Sequence, residues 1–451
     1  MRATYFYFPF LGLAAARQAA NFDISPAEAA QHGRNNTCLQ TYHMTQAMDE
    51  DEFRTNFDYD FYQTASNFSG SSPADLLKLE PLDPTTMNTS TGTTVYRMQY
   101  TSKDLDGSPV PVTGFIAFPY TMKKWKADPL LSGPDVFRLV AWAHGTSGLY
   151  PGCAPSNGPT LYEGAWQALV DHGYAVVGTD YAGIGNNYTT HKFLSFSAQA
   201  TDVYYSVVAA KKVYGHILSH EWASIGHSQG GGVVWKLAED KRVQDRTAGY
   251  LGTVALSPAT YVVDMFLKRF DQYPVPGLVT VLPESIRRAV PSYNGTFLAR
   301  PAKRRYELAE KAKVCFASTL GLTMDLTHEQ VVDRAALERD MPKLEEWQSK
   351  EAPGGGEKSS TPILVMQGGS DDLVLPDMAK DVWMKSCGSG NEVHLVYYPG
   401  VGHMPLVQAS QLEWMDWIDV LFDKGNTTQK LTCSFAIRRP FDLAHMRSPI
   451  G

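Results

Sequence analysis

The chain has 451 residues with 43% apolar and 19% charged side chains and a formal net charge of -7. That composition suits a globular protein with one large core and room for an inserted subdomain. No Lys/Arg cluster stands out as a phosphate-binding face, which excludes nucleic acid as the expected partner, and no run after the N-terminus approaches the roughly eighteen apolar residues a membrane span needs.

In chain order, the first stretch is "MRATYFYFPFLGLAAARQAA". It has one positive charge at Arg2, an apolar run over 5–13, and small residues Ala14 and Ala16 spaced like a signal-peptidase site. Residues 1–20 are therefore expected to carry a secretory leader cut near Ala16; a buried first helix or strand is the alternative. Six of the twelve asparagines, Asn35, Asn67, Asn88, Asn187, Asn294 and Asn426, lie in N-x-S/T sequons, against roughly one or two by chance placement. Both features point to a secreted protein or one in the secretory lumen. The five cysteines form no CxxC pair, so a zinc ribbon or thioredoxin-type site is not indicated. In an oxidising compartment they suggest two disulfides and one cysteine left over, with the pairing open. Nothing speaks to oligomeric state.

Residues 21–92 are polar, aromatic-rich and irregular, and read as an N-terminal extension packed on the core. From residue 93 the pattern changes: "TTVYRMQYTS" (93–102) and "VTGFIAFP" (112–119) read as strands joined by a turn at Asp106-Gly107. Six short apolar runs follow: "RLVAWAHG" (138–145), "YAVVGTD" (174–180), "WASIGHS" (222–228), "GYLGTVAL" (249–256), "PILVMQG" (362–368) and "EVHLVYYPG" (392–400). Helical stretches at 161–172, 198–216, 230–240 and 406–423 separate most of them. This alternation predicts an α/β fold, a mostly parallel sheet with helices on both faces. Between the fourth and fifth runs lie about a hundred residues with helical periodicity, 257–361, too many for a loop and best read as a helical cap. Its exit, "EAPGGGEKSSTP" (351–362), has linker composition. The core is thus expected over 93–256 and 362–451.

The stretch "IGHSQGGG" (225–232) carries the chemistry. A strand ending near Gly226 and a helix starting near Gly230 leave Ser228 on a tight turn where neighbouring side chains would clash; this is the G-x-S-x-G nucleophile elbow. Alone the motif is weak, and a glycine-rich turn without chemistry is the bland reading. Its place between an apolar strand and a helix raises it. The helix start also frees the Gln229 N–H to hold an oxyanion. A serine hydroxyl needs a base, and the base an orienting carboxylate. In this architecture they follow in the order Ser, acid, His, after late strands. "MQGGSDDLVLP" supplies Asp371 and "YPGVGHMPL" supplies His403. Asp372 is one residue from exchanging places with Asp371, which is the better placed. His394 lies inside a strand, His227 packs beside the site, and His172, His191, His216 and His220 are most simply solvent-facing. In "AWAHGTSG" the turn after His144 is expected to bring the Thr146 N–H toward the developing charge, a contact whose loss costs roughly 3 kcal/mol; an ordinary strand-ending turn is the alternative. No cofactor and no metal are implied, because triad and donors suffice for acyl transfer.

Taken together, "AWAHGTSG", "GCAPS", "GYAVVGTDYAGIG", "GHSQGG", "QGGSDDLVLP" and "GVGHMPL" resemble the fungal secretory lipase family of α/β hydrolases, over about residues 90 to 435. The resemblance implies the α/β-hydrolase fold, a Ser228, Asp371, His403 triad, a helical cap over the site, and hydrolysis of carboxylic esters through an acyl-enzyme. It also implies the pairs Cys153 with Cys315 and Cys387 with Cys433, leaving Cys38 as the odd cysteine. The family includes lipases and esterases that deacetylate trichothecene-type sesquiterpenoids, so an apolar small-molecule ester is the expected substrate. Met265, Phe266, Leu267, Tyr273, Phe316 and Ala317 are candidates for pocket lining, although helix-packing core is the commoner role of such residues. Two other readings stand beside this one. A serine aminopeptidase would use a cap acid such as Glu307, Glu310 or Glu345 to receive the substrate amine. A non-catalytic binding protein would have lost a triad member, and none is missing.

Overall fold

A computed structural model describes residues 17–34, 36–123, 125, 136–162, 164–424, 432–442 and 444–447. Among the described residues ten strands are hydrogen-bonded into one sheet in the order β1-β2-β3-β5-β4-β6-β7-β8-β9-β10. They are β1 (Leu76–Pro81), β2 (Thr94–Lys103), β3 (Pro109–Phe118), β4 (Phe137–Ala143), β5 (Ala175–Thr179), β6 (Leu218–His227), β7 (Tyr250–Leu256), β8 (Ile363–Gly368), β9 (Val393–Tyr398) and β10 (Ser434–Ile437). The first three and the β3–β5 pair are antiparallel, and every pairing from β5 to β10 is parallel. Crossover helices cover both faces. Phe196–Tyr214 and Gln229–Ala238 pack on one side with the cap, while Ala165–His172 and Gln411–Lys424 pack on the other. Strands β5, β7 and β8 are buried along their whole length, which is why they read as continuous apolar runs rather than alternating ones.

The extension is more ordered than its composition suggests. It contains an 18-residue helix, Asn36–Phe53, and the edge strand β1, so the sheet begins before residue 93. Along that helix Leu39, Tyr42, Gln46, Asp49 and Phe53 are all buried; they share one face at three- and four-residue steps, but two of the five are polar, and this erases the hydrophobic period. Asp49 takes the N–H groups of Ala317 and Ser318 at 3.0 and 2.8 Å, capping the cap helix Phe316–Thr323. Burial, the largest influence, raises the Asp49 carboxyl to a pKa of about 6. Arg34 and Arg305 both pair with Asp325.

Residues 17–20, counted with the leader in the 1–20 boundary, pack on the core: Ala19 and Ala20 are buried and the Arg17 carbonyl accepts from the Phe57 N–H at 2.9 Å. The leader segment 1–16 and the sequons at Asn35 and Asn426 lie outside the described residues. Helices Leu282–Ala289, Arg300–Ala312, Phe316–Thr323 and Arg334–Glu351 are the longest elements of the insertion between β7 and β8. Its exit is pinned rather than loose: the N–H groups of Gly354, Ser359 and Ser360 donate to Glu239, Asn391 and Gln244 at 2.8, 3.0 and 2.7 Å.

Candidate active site

Strand β6 ends at His227 and the helix Gln229–Ala238 follows at once, so Ser228 must turn the chain by itself. It does so at φ 57° and ψ -118°, a strained conformation that persists only where its surroundings enforce it. A Cβ on Gly226 would lie 2.2 Å from the Gly230 carbonyl oxygen, and one on Gly230 only 1.9 Å from that of Ala143. Both flanking glycines are therefore required by backbone contact. The first helical hydrogen bond runs from the Gly232 N–H to the Ser228 carbonyl at 3.2 Å. The Gln229 N–H thus precedes the helical ladder and lies at the positive end of the helix. Ser228 itself is partly exposed.

The acid and base stand after β8 and β9. Asp371 is buried, and its carboxylate accepts from the N–H groups of Leu373 and Val374 at 3.0 and 2.8 Å and from Gln367 Nε2 at 3.1 Å. His403 Nδ1–H donates to Oδ2, the oxygen that also accepts from Gln367, at 2.8 Å, which leaves His403 Nε2 as the basic nitrogen. Burial pushes the Asp371 carboxyl up, but the His403 imidazole and these donors together hold it below the usual range. Asp372 is exposed, so the two neighbours are not exchanged. The His403 loop meets the elbow through His227: their ring centroids are 4.6 Å apart, and His227 Nε2–H donates to the His403 carbonyl at 3.3 Å. His227 packs beside the site, as its position next to Ser228 implied.

On the opposite side the turn after β4 carries Thr146, whose carbonyl accepts from the Tyr162 hydroxyl at 2.7 Å. The hydroxyl of Tyr181 donates to the His144 carbonyl at 3.0 Å. The same turn is joined to the cap. The Phe316 N–H donates to the Ser147 carbonyl at 3.0 Å, Gly148 bridges to Cys315, and Cys315 is disulfide-bonded to Cys153. A Cβ on Gly148 would lie 2.6 Å from Cys153 Sγ.

The second disulfide joins Cys387 to Cys433, and Cys38 belongs to neither. Asn67, Asn88, Asn187 and Asn294 are exposed. Met265, Phe266, Leu267 and Tyr273 belong to the buried core, while Phe316 and Ala317 are half-buried. Glu307 and Glu310 are exposed, and Glu345 pairs at the surface with Lys268 at 2.7 Å. His216 and His220 are exposed as expected. His191 is not solvent-facing: it is 1% exposed, in a loop folded under the cap. His172 is half-buried and bonded to Asp419 at 2.9 Å. Among the described residues no group of three or more His, Cys, Asp or Glu is placed to hold a metal ion, and no helix is long and apolar enough to cross a membrane. Sequence reasoning passed over Tyr162 and Tyr181, whose hydroxyls bond the Thr146 and His144 carbonyls. Their partners are remote in sequence, and no local pattern marks them.

A largely parallel sheet with a serine on a strained strand-to-helix turn, and a histidine–aspartate pair on loops after two later strands, defines an α/β hydrolase. Residues 159–409, more than half of the chain, match the family described as Serine aminopeptidase, S33 (Hydrolase_4), and the chain belongs to that family of hydrolases. No curated protein matches it. Among solved structures it is similar to Candida antarctica lipase A in its closed state, at a TM-score of 0.66 and 15% identity over 82% of this chain and 87% of that one. It is also similar to the rice cell wall degrading esterase of Xanthomonas oryzae (TM-score 0.60, 19% identity, 78% and 98% covered). A hydrolase of Legionella pneumophila gives a TM-score of 0.61 at 15% identity, with 78% and 100% covered. These likenesses establish the fold.

Proposed function

We propose that the protein is a secreted serine hydrolase of carboxylic esters, acting on an apolar ester through an acyl-enzyme. In this reading Ser228 attacks the ester carbonyl and His403, oriented by Asp371, takes the serine proton and passes it to the leaving alcohol. The N–H groups of Gln229 and Thr146 hold the oxyanion. Water then repeats the sequence to release the acid. The observation that carries the reading is the 2.8 Å His403–Asp371 bond on a loop that touches the residue preceding the strained Ser228. Two disulfides and four exposed sequons support passage through the secretory route. The substrate class is an acyl lipid or an acetylated metabolite such as a trichothecene-type sesquiterpenoid, drawn from the motif resemblance.

The family's description favours a second reading, an aminopeptidase of the same fold. Against it, none of the three acids that sequence reasoning offered for a substrate amine is buried: Glu307, Glu310 and Glu345 all lie on exposed helix faces. Turnover of p-nitrophenyl acetate, butyrate and palmitate, an acetylated terpenoid and an aminoacyl p-nitroanilide distinguishes the readings. We expect ester turnover that falls about 10⁴-fold or more in Ser228→Ala. Equal rates from both proteins would remove the proposed nucleophile, and turnover of the anilide alone would establish the aminopeptidase.

A further inference from the structure

We propose that His191 is a positioning residue of the oxyanion hole, holding Gln229 through its side chain while the cap residue Arg288 ties the His191 loop to the loop that carries Thr146. The inference rests on the serine-hydrolase reading above. His191 Nδ1–H donates to the Ala182 carbonyl at 3.1 Å. That bond sets the tautomer, so Nε2 offers a lone pair. The side-chain Nε2 groups of Gln229 and Gln199 both face it, at 3.5 and 3.4 Å. Gln229 is 1% exposed. A buried amide without an acceptor would turn to find one, and it is rooted on the residue whose backbone N–H must stay aimed at the oxyanion.

Burial, foremost, and the nearby positive charge of Arg288 push the His191 pKa down to about 3, so the ring stays a neutral acceptor across the working pH range. Its ring stacks on Tyr181 at 6.0 Å, and Tyr181 lies 4.4 Å from the ring of His144. This column reaches the strand end from which the Thr146 turn departs. Arg288, on the cap helix Leu282–Ala289, donates from Nη1 to the carbonyls of His191 and Leu149, both at 3.2 Å, and its Nε donates to Glu284 at 3.0 Å. One cap side chain thus spans the loops behind both oxyanion donors.

The test uses the full-length protein, with rates normalised to serine sites titrated by a fluorophosphonate. His191→Phe keeps the ring and removes both nitrogens; Gln229→Met keeps the backbone N–H and removes the amide. Each is expected to lower kcat for p-nitrophenyl butyrate about ten- to a hundredfold, the size of a displaced oxyanion donor. KM should stay within about twofold, as for an interaction made only in the transition state. Affinity for a trifluoromethyl ketone, which mimics the oxyanion, should fall in parallel. His191→Gln restores an acceptor near the Nε2 position and should recover most of the loss, and the Phe/Met double variant should be no worse than the poorer single one.

A kcat per titrated site equal to wild type, or a kcat loss without weaker ketone binding, would overturn the proposal. If His191→Phe does not fold, Gln229→Met alone decides between these outcomes. Failure of the wild type to react with the fluorophosphonate would instead sink the serine reading on which the proposal stands.

Discussion

Around Ser228 the decisive contacts are between backbone atoms of adjacent elements, whereas the cap is held by side chains far apart in the chain. The elbow is enforced by carbonyl oxygens of Ala143 and Gly230 against missing Cβ atoms. The cap is fastened by the Cys153–Cys315 disulfide, which spans 162 residues, and by Asp49, Arg34 and Arg288 reaching across from or toward distant loops. The first region is set by close backbone packing between neighbouring elements and admits no side chain at Gly226 or Gly230. The second is specified by pairs, each of which is removable singly without displacing the sheet. Elbow and cap are thus held by different kinds of interaction, joined where the Thr146 turn bridges to Cys315.

The sharpest way to test that contrast is at the pair closest to the chemistry. Asp371→Asn should leave the fold intact but reduce ester turnover about 10⁴-fold, because the amide holds the His403 ring in the wrong tautomer. Thermal melts of the two proteins against pH check the accompanying charge effect. Since the native Asp371 carboxyl lies below its ordinary value, its stabilising contribution is present above about pH 4 and is lost as the pH falls through the lower native value. The asparagine variant should lack that acid-side loss.

The next effect in size belongs to the fastening of the cap. Replacing Cys153 and Cys315 by alanine should cost about 5 kcal/mol of unfolding free energy, and replacing Cys387 and Cys433, only 46 residues apart, about 4 kcal/mol, on loop closure alone. Guanidinium titration gives both values. The contrast drawn above requires that the first pair also alter kcat, through the turn it secures, and that the second leave it unchanged. Equal effects on kcat would break it.

The smallest effect is at Asp49. Its native carboxyl titrates near pH 6, above the ordinary value, so the native state binds the proton more tightly than the unfolded chain. Stability should therefore decline as the pH rises from about 4 to 6, by on the order of 2 kcal/mol for a shift of this size. Asp49→Asn should flatten that slope while costing about 1 kcal/mol for the N–H that loses its acceptor oxygen. A slope unchanged by the substitution would place its origin elsewhere.

Much of this was legible before the fold was known. The parallel strands announced themselves because strands buried on both faces are apolar throughout, and the elbow because glycine is the only residue its backbone contacts admit. Strand β1 and strand β10 escaped notice because both lie at sheet edges, half-buried or exposed, and carry no periodic pattern. The extension's helix was hidden by two polar residues on its buried face, and the burial of His191 by partners such as Gln229 and Arg288 that stand on other elements.

What the amino-acid order determined by itself is the elbow motif, the order of serine, acid and histidine along the chain, and the length of the insertion, since these are read from motifs and periods a few residues long. Tertiary structure turned Asp371 rather than Asp372 inward and closed the cysteine pairs that the motif resemblance implied, and it alone decided that a cap arginine reaches behind the Thr146 turn. Those outcomes depend on the distance between side chains brought together only by the packed sheet and cap, and no short stretch of sequence encodes such a distance.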